Sequence, residues 1–403
     1  MMLDYESLIP GSSLPEALGE VPPLPAFDEA SLAFVEALSA RLMRMPEART
    51  YPELTALGFW MRRANLNRLR TDMERRMGGS LLTPRGTVLH IAPSNVDTIF
   101  VYSWFLSLLT GNRNIVRLSS KPSQQADLLV GAIAALLADP AHREIAQRTL
   151  LVRYAADDRI TTRMSAVCDV RVIWGGNSTV EHIRKLPLAP TATEVAFANK
   201  YSLALVSSVG WLEAHEAQRA DWIEAFYNDA YWFDQMACSS PRLILWVGDA
   251  GQVETASTDF WARFERFLAG KQERFGDADY VNKLVAGDAL AIEADVGIRP
   301  TANNDLVRVW LDQPALHDNL HCGAGLFFES MLPTLDAIRP LLNRTVQTVS
   351  YAGFGAQLLR DFVLASPLAG IDRIVPFGRA LDFAPVWDGF DLLRVFMREI
   401  TVA

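Results

Sequence analysis

From Gly86 to Gly176 the chain alternates short apolar runs of strand length with longer runs of helical period, and this alternation constrains the fold more than any other feature. It reads GTVLHIAPSN, a helix over 96–110, the strand NIVRLS, a helix over 124–138, the strand TLLVRYA, a short helix, and the strand DVRVIWGG. Such a pattern predicts a doubly wound parallel sheet, whose ligands lie beyond the carboxyl ends of the strands. Turn residues occur at those ends: Ala92-Pro93-Ser94-Asn95 after the first strand, Ser119-Ser120-Lys121-Pro122 after the second, and Gly175-Gly176-Asn177-Ser178 after the fourth. A helix starting at Asn177 presents backbone amides to a pyrophosphate. No GxGxxG stands at the first turn, so the ordinary dinucleotide fingerprint is missing, and Gly175-Gly176 alone suits any turn between a strand and a helix.

The second feature is chemical. In residues 227–248, YNDAYWFDQMACSSPRLILWVG, Cys238 sits at the end of a predicted helix and just ahead of a predicted strand. Asp234, Gln235, Ser239, Ser240 and Pro241 around it are too polar and turn-prone for a core position. Cys238 is therefore a candidate nucleophile, since a thiolate attacks thioesters at neutral pH and its acyl adduct can be reduced or passed on. The plainer reading of any one cysteine is a small buried apolar residue. Cys168, Cys238 and Cys322 show neither a paired framework nor metal-ligand spacing, so a reducing cytoplasm is expected and a metal is not.

With 403 residues, half of them hydrophobic, the chain can bury a full core and is expected to form two domains, or two plus a small appendage. A net charge of −9 argues against nucleic acid as a partner, which would favour a basic face. The N-terminus lacks the basic start and long apolar core of a secretory signal and is expected to stay in place. The most apolar run, Val96 to Leu109, falls short of the roughly 18–20 residues that span a bilayer, so it reads as a buried helix. Five prolines in residues 1–27 predict an extended surface arm. Helices are expected over 28–46 and 51–77, the second carrying six arginines between Arg62 and Arg76. Those arginines form either a solvated face or a contact with a phosphate-bearing ligand or acidic partner.

Taken in order, APSN, GNRNIVRLSSKPS, WGG ahead of a helix, a cysteine in a polar turn, and VPFGRALDFAPVWDG resemble the aldehyde dehydrogenase superfamily. More closely the chain resembles the LuxC-type acyl-CoA reductases of bacterial luminescence operons and their relatives. The likeness runs from about Tyr51 to the C-terminus, and DQMACSSP, GNRNIVRLSS and IDRIVPFGRALDFAPVWDG carry it. It implies an aldehyde dehydrogenase-like α/β fold with two doubly wound domains, one for cofactor and one catalytic. Residues 1–84 are then an arm and helices, 85–199 the cofactor domain, 200–367 the catalytic domain, and 368–403 a return to the cofactor domain with an oligomerisation segment. The closing strand REITV would extend a sheet between subunits, which implies a homodimer or homotetramer.

The same resemblance implies residue roles. The superfamily's asparagine after the first cofactor-domain strand falls on Asn95, whose amide would join the Cys238 backbone N–H in an oxyanion hole, typically worth roughly 3–4 kcal/mol of barrier. Asn95 also suits a helix N-cap, and the two roles are compatible. The ribose segment falls on Val116 to Lys121, with Arg117 where a lysine usually sits and Ser120 where a glutamate often selects NAD. With Ser119, Ser120 and Lys121 there instead, the site should accept a 2′-phosphate, so NADPH is the expected cofactor and NADH the alternative. The plain reading of these residues is a turn at a strand end. Gly175 and Gly176 fall where a cofactor backbone approaches closely. The superfamily's general-base segment has only Glu194-Val195-Ala196-Phe197 as a loose counterpart, so Glu194 is placed with the cofactor residues and not as a water-activating base. The second glutamate has no secure counterpart, Asp318 being nearest by position.

The implied reaction is reductive: Cys238 takes the acyl group from a thioester, and hydride from NADPH releases an aldehyde. The donor is acyl-CoA or the product of an acyl-protein synthetase partner. Two rivals stay open. A cysteine acyltransferase or thioesterase would want a histidine base, His321 or His215, and would not need cofactor turns; a non-catalytic scaffold would bind no NADPH. Phe226, Tyr231, Trp232 and Phe233 suit either an acyl tunnel or a helix packed in the core.

Overall fold

The computed structural model describes residues 5–9, 15–93, 98–271, 275–293 and 296–402. The chain forms two compact units, Met1–Ala198 with Phe383–Ala403, and Asn199–Asp382.

The first unit begins with β1 (Glu6–Ser7), β2 (Leu81–Pro84), β3 (Thr87–Ile91), β4 (Arg113–Leu118), β5 (Thr149–Arg153), β6 (Val170–Trp174) and β7 (Thr193–Phe197). Its main sheet has the order β1-β5-β4-β3-β6-β7, parallel except for the short β1. From β3 the chain winds outward through β4 and β5, then crosses back to β6 and β7. The reversal beside β3 is the switch point of a doubly wound sheet, as the alternating sequence predicts. Every residue of β3 is buried, as a parallel strand covered on both faces requires. The helix Ile99–Leu109 is buried almost all round, which matches its unbroken apolar run.

The proline-rich arm lies on this unit. Leu24 N donates to Gly111 O at 2.9 Å and Arg148 Nε to Pro22 O at 2.9 Å. Gly111 has φ +83°, and a Cβ there would press into the Leu24 carbonyl, so only glycine allows this docking. The expected helix over 51–77 is two helices, Pro52–Trp60 and Arg63–Met77. Arg62 is extended (φ −67°, ψ 150°) and stacks its guanidinium on Phe59, while Arg63 reaches Glu29 at 3.2 Å. Arg70, Arg75 and Arg76 pair with Glu74, Asp72 and Asp391 in exposed ion pairs, which agrees with a solvated face.

The second unit contains β8 (Tyr201–Ser207), β9 (Pro241–Val247), β10 (Val296–Arg299), β11 (Val307–Leu311), β12 (Leu326–Leu332), β13 (Val346–Ala352) and β14 (Arg373–Pro376). They form one sheet, β10-β11-β12-β9-β8-β13-β14, with only the edge strand β10 antiparallel. Because β14 pairs with β13, the chain past 368 stays with this unit until Asp382. One face packs an aromatic layer that includes Phe226, Phe260, Trp261, Phe264 and Phe327. Within it the buried Glu329 accepts from Trp246 and Trp261 Nε1 and from Arg308 Nε, so its charge is fully hydrogen-bonded.

The chain then returns to the first unit through β15 (Val386–Trp387), β16 (Phe390–Asp391) and β17 (Met397–Ile400). β17, the REITV segment, pairs antiparallel with β2 in a separate two-stranded sheet. Asn112 Nδ2 donates to Phe396 O at 3.0 Å and ties the returning segment to the end of the buried helix.

Candidate active site

Cys238 owes its position to an unusual turn. The helix Glu216–Tyr231 ends, and Phe233, Asp234 and Gln235 follow with φ of 56°, 52° and 62°. Three successive non-glycine residues in the left-handed region carry strain of order 1–3 kcal/mol each, which persists only where surrounding contacts fix it. Gln235 supplies those contacts from a fully buried position. Its Nε2 donates to Pro241 O at 2.9 Å and Leu326 O at 3.0 Å, and its Oε1 accepts from Gly325 N at 3.0 Å. The turn thus delivers Cys238 to the amino end of β9.

There the cysteine is held at both ends. Ser202 Oγ, on β8, donates to Cys238 O at 2.7 Å and accepts from Thr348 N at 3.2 Å. Gln347 Nε2, on β13, donates to Cys238 Sγ at 3.4 Å. Cys238 is half-buried, whereas Cys168 is buried and desolvation pushes its thiol up to about 12, a range in which it is inert. Burial also raises the Cys322 thiol. No disulfide joins the three.

Charged groups stand close by. Arg242 follows the cysteine turn and lies over the Tyr201 ring at 5.5 Å, its guanidinium in favourable interaction with Cys238 and Asp318. His321 is driven down to about 3 by burial and by Arg242, and its Nε2 lies 3.1 Å from Gln235 O. His215 accepts from Gln218 N as a helix cap. Each histidine thus has one ring nitrogen engaged by the backbone. Of the aromatic residues, Phe226 and Tyr231 belong to the core layer, Tyr231 also donating to Asp305 O, while Trp232 and Phe233 are half-buried beside the turn.

The described turns of the first unit lie at the carboxyl ends of β4 and β6, the two strands that flank β3. Ser119 is half-buried after β4, its Oγ accepting from Lys121 N at 3.1 Å, and Ser120 and Lys121 are exposed. Arg117, on β4, donates to Tyr154 O at 3.2 Å and lies over the Tyr154 ring, just past the end of β5. Gly175 follows β6, its amide bonded to Phe197 O, and Gly176 precedes the helix Asn177–Arg184, which no side chain caps. Glu194 lies three residues before the end of β7, held by Arg171 Nε at 2.7 Å and Arg184 Nε at 3.0 Å. Asn95 lies outside the described residues. Among the described residues, no cluster of three or more acidic, histidine or cysteine side chains is arranged for a metal, and no helix is long and apolar enough to cross a membrane.

Sequence reasoning missed Ser202, Arg242 and Gln347. Arg242 stood four residues from the cysteine and gave a signal; Ser202 and Gln347 lie in ordinary strand sequence and gave none.

Similarity to known proteins agrees with this architecture. The NAD-dependent benzaldehyde dehydrogenase of Corynebacterium glutamicum superposes with a TM-score of 0.64 at 12% identity, over 95% of this chain and 86% of that one. At that identity the likeness is one of fold, and the fold is aldehyde dehydrogenase-like. A long-chain acyl-protein thioester reductase of Photorhabdus laumondii is 28% identical over 337 residues, 79% of this chain and 63% of that protein. Another, of Aliivibrio fischeri, is 26% identical over 168 residues, 41% of this chain and 33% of that protein. The matches thus span a third to just under two thirds of those relatives' length. Residues 26–269, more than half of the chain, match the acyl-CoA reductase (LuxC) family, and the chain belongs to that family.

Proposed function

We propose that the chain is an aldehyde-forming reductase of acyl thioesters that works through a Cys238 acyl-enzyme. The observation that carries this is a half-buried cysteine fixed by its carbonyl and contacted at its sulfur, at the amino end of a central strand. Cys238 Sγ bonds to the thioester carbonyl carbon, and the donor leaves as a thiol that takes a proton from solvent. NADPH, when bound, would supply the hydride that reduces the acyl-cysteine to a thiohemiacetal alkoxide. The oxyanion's electron pair then re-forms the C=O bond as the C–S bond breaks, releasing aldehyde and the Cys238 thiolate. Asn95 keeps the oxyanion role that the resemblance gives it.

The residues after β4 and β6 suit a nicotinamide dinucleotide. The helix after Gly176 starts without a capping side chain, and Ser119, Ser120 and Lys121 offer hydroxyls and a cation with no carboxylate among them. That chemistry favours NADPH. Glu194, tied to two arginines, braces β6 and β7 in this reading. The relatives' names support a long-chain acyl-protein donor, the family's description supports acyl-CoA, and the ribbon of β2 and β17 supports a homo-oligomer. A cysteine acyltransferase is disfavoured by His321, whose depressed pKa makes it a weak base.

The test is acylation followed by reduction. Mixed with a long-chain acyl-CoA, the parent should gain one acyl mass and Cys238→Ala none; NADPH should then discharge the adduct as aldehyde. An adduct that persists in Cys238→Ala sinks the nucleophile, and acylation without NADPH oxidation favours the acyltransferase. Asn95→Ala should lower turnover about 100-fold with NADPH affinity unchanged.

A further inference from the structure

The strands on both sides of β8 lose their regular pairing at the same level. Across β8 and β9, Ser202 pairs with Pro241 and Leu203 with Leu243, so Arg242 is an extra residue. Across β8 and β13, Tyr201 pairs with Val346 and Leu203 with Val349, so Gln347 and Thr348 stand opposite Ser202 alone. Bulges re-aim side chains and are concentrated next to active sites. Here the two irregularities flank the residue that holds the Cys238 carbonyl.

The bulge on β13 sets the orientation of Gln347. Thr348 Oγ1 donates to Gln347 Oε1 at 3.3 Å, which leaves Nε2 toward the sulfur at 3.4 Å. Gln347 is buried, so little water competes for that donor. We propose that Gln347 is a catalytic residue: its side-chain amide donates to the Cys238 sulfur and stabilises the thiolate, both as attacking nucleophile and as the group released when the aldehyde leaves. Arg242, carried to the same level by the bulge on β9, supplies the neighbouring positive charge. Other ionisable groups at this end of the sheet include Tyr201 on β8, which burial keeps neutral, the Lys200–Asp372 pair (3.1 Å) just before β8 and β14, Arg373 at the start of β14, and Asp318 and His321 before β12; His321 is uncharged at neutral pH. A donor to the charged form of an acid lowers its pKa, so losing Gln347 moves the cysteine's titration upward.

This inference deepens the acyl-reductase reading and rests on it, yet its test uses no acyl substrate. The rate of iodoacetamide alkylation is followed against pH by mass spectrometry of the Cys238 peptide alone, in the parent, Gln347→Leu and Gln347→Glu. Removing the donor should slow alkylation at pH 7 by about ten-fold and shift the midpoint upward, with the rate at high pH unchanged because access is unaltered. Gln347→Glu, which brings a carboxylate to the sulfur, should shift it further. Unshifted midpoints in both variants overturn the proposal, as does slowing confined to the high-pH rate. A shifted midpoint in a protein that forms no acyl adduct upholds Gln347 and defeats the reductase.

Discussion

Gln235 has no chemistry to offer a thioester, yet the position of Cys238 depends on it. Truncation to alanine leaves Pro241 O, Leu326 O and Gly325 N buried without their partner, at about 1–3 kcal/mol for each group not rescued by water. Gln235→Ala should therefore lower the unfolding free energy by about 2–4 kcal/mol in urea titrations. A change below about 0.5 kcal/mol, the range of ordinary surface substitutions, would show that the left-handed turn holds itself. Asp229 makes a second prediction. Its carboxyl accepts from Gly378 N and Ala380 N, both at 2.8 Å, while burial pushes its pKa up from 3.8 to about 7. Between those values the folded protein holds a proton that the unfolded chain has released. The contribution is thus whole below pH 4 and is lost as pH rises through 7. Stability should fall over that interval in the parent and fall less in Asp229→Asn; equal slopes would mean that the carboxylate is ionised throughout. At this scale the place of Cys238 in a turn ahead of a strand was legible because its neighbours are polar and turn-forming. Gln347 was not, because a bulge between parallel strands leaves no mark in VQTVSYAG, and the helix end at Trp232 gave no sign that three left-handed residues would follow.

Elements were more legible than single contacts, because an apolar period is carried by many residues at once. The strands of the first sheet read directly from runs such as NIVRL and VRVIW, and a doubly wound parallel sheet followed from their alternation with helices, whereas the place of its switch point beside β3 comes from the fold. The helix expected over 51–77 hid its break, since no proline or glycine marks Met61 and Arg62; stacking on Phe59 and the pull of Glu29 on Arg63 decide it. The turn after β4 carries the prediction for this scale. Arg117 donates to Tyr154 O, so in the proposed cofactor site Ser119, Ser120 and Lys121 would carry the selection between cofactors. A carboxylate at position 120 accepts from both ribose hydroxyls of NADH and repels the 2′-phosphate of NADPH, a difference of about 1–3 kcal/mol, or roughly 10- to 100-fold in affinity. Ser120→Glu should therefore reverse a parental preference for NADPH, by less at high salt. Dissociation constants for both cofactors at two ionic strengths read this directly, and an unchanged preference would place the turn away from the cofactor.

For the whole molecule, the sequence supplied the closing strand but not its partner. The resemblance marks REITV as a closing strand, whereas the LLTP of β2 is too short and too close to the glycines at 78 and 79 to announce itself. Only the fold brings residues 81–84 and 397–400 together. A ribbon of two four-residue strands is marginal in water by itself. This one also leaves Leu81 54%, Ile400 42% and Val402 77% exposed, the kind of apolar edge that proteins cover or charge. Cover by a second copy accounts for both facts, and each copy would offer the same ribbon. The parent should then sediment as a dimer or tetramer, and Leu81→Asp combined with Ile400→Asp should yield a monomer with unchanged far-ultraviolet circular dichroism and unchanged alkylation of Cys238. A parent that is monomeric across the micromolar range, or a charged variant that keeps the parental mass, would leave the ribbon as an intramolecular tie between the start of the first sheet and the end of the chain.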